Sequence, residues 1–350
     1  MNTGKILRFL LLVCFFTISA VALFVLTIAL TDYKPEKEIV LTNMPKTATL
    51  NLDTIEILTW NIGYAGLGCE MDFFYDGGVK TRTDKETTVK NLEAITSFLQ
   101  DNSADFVFLQ EVDKNAARSY NIDMLSTIAA KKPLYTVFYG KNYDVLFVPL
   151  PLRSPMGRVE SGILTLSRFV PSQSVRYAYP NEQSFPKKLF LLDRCFLMCR
   201  YPLKNGKQLV LINTHNSAFD NAGEQRRKEM SALKDFVITE YQNGNYVIAG
   251  GDWNQTPPTE SAKPYHNVSS EYFAPLRITA DFMPPTWQWV SDGNATDRFL
   301  DRPYIKGKTK ETILDFFLIS PNIEIIHSET INKNYQHSDH NPVTGKFRLK

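Results

Sequence analysis

A run of 23 residues without a charged side chain, from Phe9 to Thr31, follows the basic segment MNTGKILR at the start of the chain. At a rise of about 1.5 Å per residue, a helix of this length matches a bilayer core about 30 Å thick. A cleaved signal peptide is the alternative, because Ala20-Val21-Ala22 resembles a cleavage site. Cleavage there would leave LFVLTIAL as an exposed apolar end. We therefore expect an uncleaved transmembrane anchor over residues 9–31.

The flanking charges predict the orientation of this anchor. Lys5 and Arg8 lie on the short flank, and positively charged flanks of membrane helices stay in the cytoplasm. We expect residues 1–8 in the cytoplasm and the remaining chain outside it, as in a single-pass membrane protein. Residues 32–50 are polar and contain two prolines, which predicts a linker. No similar break follows, so residues 51–350 are expected to form one domain of a monomer.

The charge of this domain bears on its partners. Residues 51–350 contain 34 basic and 34 acidic residues, whereas proteins that bind nucleic acid commonly carry a basic face. Nucleic acid is therefore not favoured as a partner, although a local basic patch keeps it open. Cys195 and Cys199 lie in an apolar run without companions at zinc spacing. We interpret them as buried apolar side chains rather than metal ligands or a disulfide.

Short apolar, β-prone segments recur along the domain and predict its architecture. Helical spacing marks only Glu86 to Gln100 and Gly223 to Tyr241, and residues 134–200 show no comparable helix. Mostly apolar strands suit sheets that pack against each other and are covered by helices outside. The predicted strands include IEILTW, DFVFLQ, QLVLINT, NYVIAGG, TILDFFLIS, IEIIHSETI and PVTGKFRL.

Four of these strands are followed by a polar residue of a kind that active sites use, namely Asn61, Glu111, His215 and Asp252. Ordinary strand-to-loop transitions are the alternative, but sites are usually assembled where strands of packed sheets end. In GGDWN, Asp252 and Asn254 project to the same side of an extended segment and can hold a water beside a phosphate. The two glycines would let the backbone approach a ligand, and a simple Gly-Asp turn is the alternative.

Asp315 lies inside an apolar strand, where a carboxylate is costly unless it is hydrogen-bonded or neutralised. The segment QHSDHNPV follows one hairpin later and contains two histidines. A histidine of this segment is the preferred partner, and Arg298 or Arg302 is the alternative.

The ordered set TWNIG, LQEVD, INTH, GGDWN, LDFFLIS and SDHNPV resembles the endonuclease/exonuclease/phosphatase superfamily, which has the deoxyribonuclease I-like fold. The resemblance covers roughly residues 52–350 and includes membrane-anchored bacterial members. It implies an α/β fold, a four-layer sandwich of two packed mixed β-sheets flanked by helices, preceded here by one N-terminal transmembrane helix. The implied chemistry is divalent-metal-dependent hydrolysis of phosphoester bonds.

The resemblance also implies residue roles. Glu111 is the main metal ligand, with Asn61 beside it and Asp339 as a further carboxylate. Oxygen ligands favour Mg²⁺ over zinc, with Mn²⁺ and Ca²⁺ as alternatives. The implied catalytic residues are His340 as general base, Asp315 as its partner, His215 facing the scissile phosphate, and Asp252 and Asn254 orienting water. The expected substrate-binding residues are Asn254, Asn213, Arg153 and Arg158, whereas His337 is expected to be a surface residue.

Several identities are possible for the substrate. A near-neutral domain tethered to a bilayer favours a lipid head group or a small phosphodiester, and a nuclease acting on DNA or RNA is the alternative. A non-catalytic binding domain on the same fold is the second alternative. The apolar, proline-rich loop NYDVLFVPLPLRSPMGRVESG fits contact with lipid, or equally a strand pair that packs on its own core.

Overall fold

The computed structural model describes residues 3–44, 48–181, 183–218, 220, 223–259 and 275–350. Residues 1–2 of the basic flank and 45–47 of the predicted linker lie outside the described residues. The α-helices are α1 (Thr3–Thr31), α2 (Lys85–Asp101), α3 (Met124–Lys131) and α4 (Glu224–Gln242). Short 3₁₀ helices lie at Gly63–Ala65, Phe74–Asp76, Ala117–Ser119 and Lys187–Phe190.

The strands are β1 (Glu38–Asn43), β2 (Thr54–Asn61), β3 (Phe106–Asp113), β4 (Thr136–Val148), β5 (Gly157–Ser167), β6 (Gln173–Ala178), β7 (Cys195–Pro202), β8 (Gln208–His215), β9 (Tyr246–Asp252), β10 (Gln255–Thr256), β11 (Leu276–Arg277), β12 (Gln288–Val290), β13 (Asp297–Arg298), β14 (Glu311–Thr312), β15 (Asp315–Ile319), β16 (Ile323–Thr330) and β17 (Val343–Leu349). One sheet has the order β1-β6-β7-β8-β9-β15-β12, and the other has the order β16-β17-β2-β3-β5-β4. The strands β10 and β11, and β13 and β14, form two separate pairs.

Three apolar clusters show that these elements form four layers. The inner faces of the two sheets share one cluster, which includes Phe106, Ile248 and Phe317. A second cluster joins the six-stranded sheet to α2 and α3, and a third joins the seven-stranded sheet to α4. Burial of apolar side chains between layers is the main stabilising term in such a fold. The predicted four-layer α/β sandwich of two mixed sheets is confirmed.

The N-terminal region differs in part from its prediction. Among the described helices, α1 alone is long and apolar enough to cross a membrane. Within the predicted linker, however, Glu38–Asn43 forms the edge strand β1, which pairs antiparallel with β6. Backbone pairing explains this difference, because an edge strand gains ladder hydrogen bonds even when its side chains are polar or exposed. The residues between α1 and the sheet are therefore limited to 32–37.

Candidate active site

The strand registers bring the predicted site residues to one edge of the two sheets. Asn61 ends β2 and lies one register step before Glu111 of the parallel strand β3. His215 and Asp252 are paired at the ends of the parallel strands β8 and β9. Asp315 begins β15 and is paired with Asp252. Because the ends of parallel strands meet at the same edge, residues far apart in sequence converge here.

Asp252 lies at the centre of this cluster. Its Oδ2 atom is 2.9 Å from Asn61 Nδ2, 3.4 Å from His215 Nε2 and 3.9 Å from His340 Nε2. Its Oδ1 atom accepts a hydrogen bond of 2.9 Å from the backbone N–H of Asn254. Burial raises the pKa of Asp252 to about 7, although the nearby His340 opposes the shift. A proton or positive charge is therefore easily held at this position.

His340 and Asp315 form a buried pair beside Asp252. The Nδ1 atom of His340 is 2.7 Å from Asp315 Oδ2, and its Nε2 atom is 3.3 Å from Asp297 Oδ1. Burial lowers the pKa of His340, but Asp315, Asp297 and Asp339 together raise it well above its usual value. The predicted contact of Asp315 with a histidine is thus present.

The arginine alternatives for Asp315 have other partners. Arg298 donates to the backbone carbonyls of Leu67, Gly68 and Met71, and Arg302 pairs with Asp301 at 2.8 Å.

His215 is the second histidine of the cluster and differs from His340 in its charge. Its Nε2 atom lies 3.4 Å from Asp252 Oδ2 and 3.9 Å from Glu111 Oε1. Burial lowers the pKa of His215 well below its usual value, and Arg194 and His340 lower it further. A neutral His215 with its proton on Nε2 can donate a hydrogen bond toward this cluster without adding a net positive charge.

Glu111 owes its position to an irregularity in β3. The pairing of β3 with β5 shifts between Leu109 and Val112, and Glu111 has a φ of 55°. This left-handed conformation is uncommon outside glycine, and such strain is concentrated at functional sites. The side chain lines the pocket and is 24% exposed. The strand predicted to end before Glu111 instead continues through this bulge to Asp113.

The carboxylates fit a divalent cation. Asp297, Asp339 and His340 each offer a ligand atom, and these atoms lie within 4.8 Å of one another. Burial raises the pKa of Asp339 to about 6, and Glu111 adds to the shift although His340 opposes it. A cation between these carboxylates would relieve their mutual repulsion. Gly63 leaves room for this group, because a Cβ atom there would lie 2.7 Å from Asp339 Oδ1.

Asn61 differs from its predicted position as a ligand beside the metal. Its Nδ2 group faces Glu111 Oε1 at 3.4 Å as well as Asp252, whereas its Oδ1 atom accepts from Gly63 N at 3.0 Å. An NH₂ group has no lone pair to offer a cation. The amide therefore holds two carboxylates in place.

Three predicted substrate-binding residues do not reach the pocket. Asn213 is fully buried and bridges the two sheets, with Gln110 Nε2 at 2.7 Å and the carbonyl of Leu164 at 3.0 Å. Arg158 is neutralised by Asp144 at 2.5 Å and by a longer contact with a neighbouring glutamate. Arg153 is exposed and does not line the pocket. These three positions give the predicted substrate-binding role no support, because a polar residue next to a motif can equally serve the packing of the sheets or a surface ion pair.

Asn254, His337 and the glycines of GGDWN agree with their predictions only in part. Asn254 lines the pocket and has a φ of 49°, but its Nδ2 group donates to the carbonyl of Asn216 at 2.8 Å. His337 is half-buried, with its Nδ1 atom 3.0 Å from Asn91 Oδ1, so it is not a free surface residue. The glycines of GGDWN fit neighbouring strands rather than a ligand, because a Cβ atom at Gly251 would lie 2.0 Å from the carbonyl oxygen of Thr214.

Arg194 is a pocket residue that the sequence did not reveal. Its side chain is partly buried, and its buried Nη1 atom has no hydrogen-bond partner among the described residues. Burial lowers its pKa, while Glu229, Glu111 and Asp252 oppose the shift. The antiparallel register of β7 and β8 explains its position, because Phe196 pairs with Thr214. Arg194 therefore precedes β7 at the same edge where β8 ends in His215.

Two acids were also missed, Asp297 beside His340 and Asp76 in the loop after β2. Both line the pocket, and the Oδ1 atom of Asp76 is buried without a hydrogen-bond partner among the described residues. No apolar strand precedes either acid, so the signal that marked Glu111 and Asp252 is missing.

One cavity of ≈ 1010 Å³ brings most of these groups together, including Asp76, Arg194, Asn254 and Asp297. Glu111, His215, Asp252, Asp339 and His340 line its inner part. Its walls also contain apolar side chains from the end of β4 and from the segment 183–192. Such a mixture, with a few convergent polar groups in an apolar cavity, is typical of an enzyme site.

Comparisons with known proteins agree with this architecture. The sequence profile of the Endonuclease/Exonuclease/phosphatase family matches residues 58–340. No curated protein matches the chain. Among solved structures, an endonuclease/exonuclease/phosphatase from Beutenbergia cavernae DSM 12333 is similar with a TM-score of 0.59 at 18% identity, over 85% of this chain and 72% of that one.

Two further structures are similar. A protein of the same description from Bacteroides vulgatus has a TM-score of 0.54 at 16% identity, over 85% of this chain and 99% of that one. ANGEL2, a 2′,3′-cyclic phosphatase, has a TM-score of 0.53 at 15% identity, over 90% of this chain and 99% of that one. These similarities show the fold, and the family profile covers most of the chain. The chain therefore belongs to the endonuclease/exonuclease/phosphatase family of phosphoester hydrolases.

Proposed function

We propose that this protein is a Mg²⁺-dependent hydrolase of lipid head groups or other small phosphodiesters, with His340 as the general base. The contact of 2.7 Å between His340 Nδ1 and Asp315 Oδ2 carries this proposal. It fixes the imidazole so that its Nε2 atom faces the pocket. A base held in one tautomer by a carboxylate is the arrangement that general base catalysis requires.

The reaction uses one water molecule. His340 Nε2 takes a proton from the water as its oxygen forms a bond to phosphorus, and the ester P–O bond then breaks. The leaving oxygen takes up a proton from solvent and His340 returns its proton to solvent, so the diester and water yield an alcohol and a phosphomonoester. Asp315 is a positioning residue, because it stabilises the charged imidazole without contacting the water. Asp252 and Asn254 line the cavity and are the proposed residues that orient the water and the phosphate.

Glu111 and Asp339 are the proposed ligands of the cation. Their carboxylates are close enough that Glu111 raises the pKa of Asp339, and oxygen ligands suit Mg²⁺. The cation, when bound, polarises the phosphoester and offsets the negative charge of the carboxylates. The Asp297–Asp339–His340 group is the alternative ligand set. It would remove His340 from the role of base.

Arg194 and His215 are the proposed phosphate-binding residues. The unpartnered Nη1 atom of Arg194 is a buried donor in the pocket. Leaving a buried donor unsatisfied costs free energy, which a phosphate oxygen would recover. A neutral His215 adds a second donor. These positions replace the predicted Arg153 and Arg158.

The helix α1 is the proposed membrane anchor, with the N-terminus in the cytoplasm and the catalytic domain outside it. Lys5 and Arg8 on the short flank support this orientation. Protease added to intact cells or spheroplasts should then digest the domain. Digestion only after lysis would reverse the orientation.

A nuclease is the second candidate, because family resemblance alone does not select the substrate. The balanced charge of residues 51–350 and the apolar wall of the pocket favour a lipid or small diester. The test is a Mg²⁺-dependent assay of the purified full-length protein against DNA, RNA, phospholipids and bis(p-nitrophenyl) phosphate. We expect lipid or the small diester to be cleaved, and the Glu111→Gln variant to be inactive. Much faster cleavage of duplex DNA would contradict the substrate, and no hydrolysis of any compound would contradict the function.

A further inference from the structure

The last two turns of α1 pack against the catalytic domain, whereas the preceding turns do not. Every side chain from Thr3 to Leu23 is exposed. The covered positions that follow are Phe24, Val25, Ile28 and Ala29. Positions separated by four residues lie on the same face of a helix. One face of the end of α1 is therefore held by the domain, and its remaining surface is free to contact lipid.

The contacts of this face lie on two segments of the domain. The ring centroid of Phe24 is 6.1 Å from that of Phe147 at the end of β4, and 6.3 Å from that of Phe190. Beyond the helix, the ring of Tyr33 is 4.1 Å from the Nζ atom of Lys141, also in β4. The strand β1 then joins the edge of the seven-stranded sheet. The domain thus contacts α1 and the segment that follows it at three successive points, which orient it relative to the helix.

The position of Phe24 along α1 sets a depth in the membrane. It precedes the end of the helix at Thr31 by seven residues. At about 1.5 Å per residue, this is roughly 10 Å. If the apolar helix is in the bilayer up to its end, Phe147 and Phe190 lie roughly 10 Å below that level. Interfacial segments bury their apolar side chains about 5–10 Å into the boundary between head groups and acyl chains.

The segments around Phe147 and Phe190 present apolar side chains that water would not favour. We name residues 146–152 and 183–192 the rim. Within it, Leu152 is 84% exposed, Phe185 is 61% exposed, and Leu146 and Leu150 are nearly half exposed. Contiguous exposed apolar residues mark a surface that contacts another apolar phase. Lys187 and Lys188 lie beside them, where cations can interact with anionic lipid head groups.

Part of the same rim, without Leu152 and Phe185, forms the outer wall of the catalytic cavity. Val148, Pro149 and Leu150 line it from the first segment, and Lys187, Phe190 and Leu191 from the second. The cavity continues from these residues to Glu111 and His340. A molecule in the membrane at the rim therefore has a direct route to the catalytic groups.

We propose that the rim lies within the leaflet next to the catalytic domain, and that the pocket receives phosphoester lipids whose acyl chains remain in the bilayer. This inference rests on the proposed hydrolase function and on α1 as a membrane anchor. It adds that the substrate is a membrane lipid reached from the bilayer side, without extraction into water.

The first experiment measures depth. The full-length protein, with Cys14→Ser and Cys69→Ser, is labelled with a fluorophore at Leu152→Cys or Phe185→Cys in vesicles that contain doxyl-labelled lipids. The matched control is Leu134→Cys, also highly exposed, which precedes β4 at its opposite end, roughly 40 Å of strand away. We expect quenching at positions 152 and 185 and none at 134. Equal fluorescence at all three positions would overturn the proposal. It would also be overturned if, in detergent, a second copy of the protein covered position 152 and protected it.

The second experiment measures activity. Leu152→Asp and Phe185→Asp place charges in the rim, so hydrolysis of phospholipid in vesicles should fall at least about tenfold. Hydrolysis of water-soluble bis(p-nitrophenyl) phosphate should stay within about twofold, because neither side chain lines the cavity. Leu134→Asp should change neither activity. If the wild type cleaves the soluble diester but no vesicle lipid, this inference alone is overturned. If the wild type cleaves neither substrate, the proposed hydrolase function itself is overturned.

Discussion

The Nδ1 atom of His340 lies 2.7 Å from the Oδ2 atom of Asp315, although 25 residues separate them in sequence. Asp315 begins β15 beside Asp252, and His340 lies in the loop before β17. The other oxygen of Asp315 is buried and has no hydrogen-bond partner among the described residues. The buried carboxylate of Asp315 therefore has a single hydrogen-bond partner, the imidazole of His340. Burying a carboxylate in this way is costly unless the imidazole can carry a positive charge.

Arg194 is expected to bind the phosphate. The variant Arg194→Gln removes a buried charged donor, so kcat/KM should fall by about 10²–10³-fold. Inorganic phosphate should also inhibit the variant more weakly than the wild type. The control is Arg153→Ala, which removes an exposed arginine outside the pocket and should leave both quantities unchanged. If Arg153→Ala has the larger effect, the phosphate site lies elsewhere.

The two alternative metal sites differ in the role of His340. If Glu111 and Asp339 hold the cation, Asp339→Ala should weaken Mg²⁺ binding by at least about tenfold. His340→Ala should leave it almost unchanged, and Glu111→Gln should abolish both binding and hydrolysis. Isothermal titration of each variant with Mg²⁺ measures these affinities. A loss in His340→Ala as large as that in Asp339→Ala would favour the Asp297–Asp339–His340 ligand set.

Mg²⁺ should shift the pH profile of the enzyme. Burial lowers the pKa of His340, but Asp315, Asp297 and Asp339 raise it well above its usual value. A base must be neutral, and kcat/KM should therefore rise with pH through the pKa of His340. A cation beside Asp339 opposes the charged imidazole and lowers this pKa. The rising limb should move to lower pH as Mg²⁺ is increased, and a limb that stays fixed would contradict the assignment.

Asp76 should make stability depend on pH. Burial raises its pKa from 3.8 to about 8, and Asp339 adds to the shift. The folded state therefore binds more protons than the unfolded state between these values, so stability falls as pH rises. Between these pH values, the free energy of unfolding should decrease by about 1.4 kcal/mol per pH unit.

The variant Asp76→Asn removes this dependence. Measured by denaturant unfolding without metal, its stability relative to the wild type should increase from about pH 4 to about pH 8. The control is Asp53→Asn at an exposed position. Parallel curves for Asp76→Asn and the wild type would show that Asp76 does not hold a proton in the folded protein.

The convergence of the site could be predicted from sequence because it depends on strand ends. Apolar runs that stop at Asn61, His215 and Asp252 place these residues where parallel strands end. The partner of Asp315 was predictable for another reason, since a carboxylate in an apolar strand requires a donor. Both predictions follow from local sequence patterns, namely where an apolar strand ends and whether a buried carboxylate has a partner.

The remaining parts of the site could not be predicted in this way. Arg194 lies within the continuous apolar segment LFLLDRCFLMCRYPL, so the start of β7 cannot be located without its register against β8. Asn213 lies in the same strand as His215, two residues before it, and has the same pattern of apolar neighbours. Its side chain nevertheless faces the contact between the sheets. The strand β1 depends on backbone pairing with β6 rather than on its side chains. Each of these features depends on register or backbone pairing, which local patterns do not specify.

The most direct test of the catalytic account is a double-mutant cycle on kcat with His340→Ala and Asp315→Asn, at saturating Mg²⁺ and with the substrate that the assay identifies. His340→Ala should lower kcat by about 10²–10⁴-fold, as expected for loss of a general base, and Asp315→Asn should lower it somewhat less. Because Asp315 acts only through His340, the double variant should be hardly slower than His340→Ala alone. If the two losses multiply instead, Asp315 does not act through His340, and the proposed base pair is wrong.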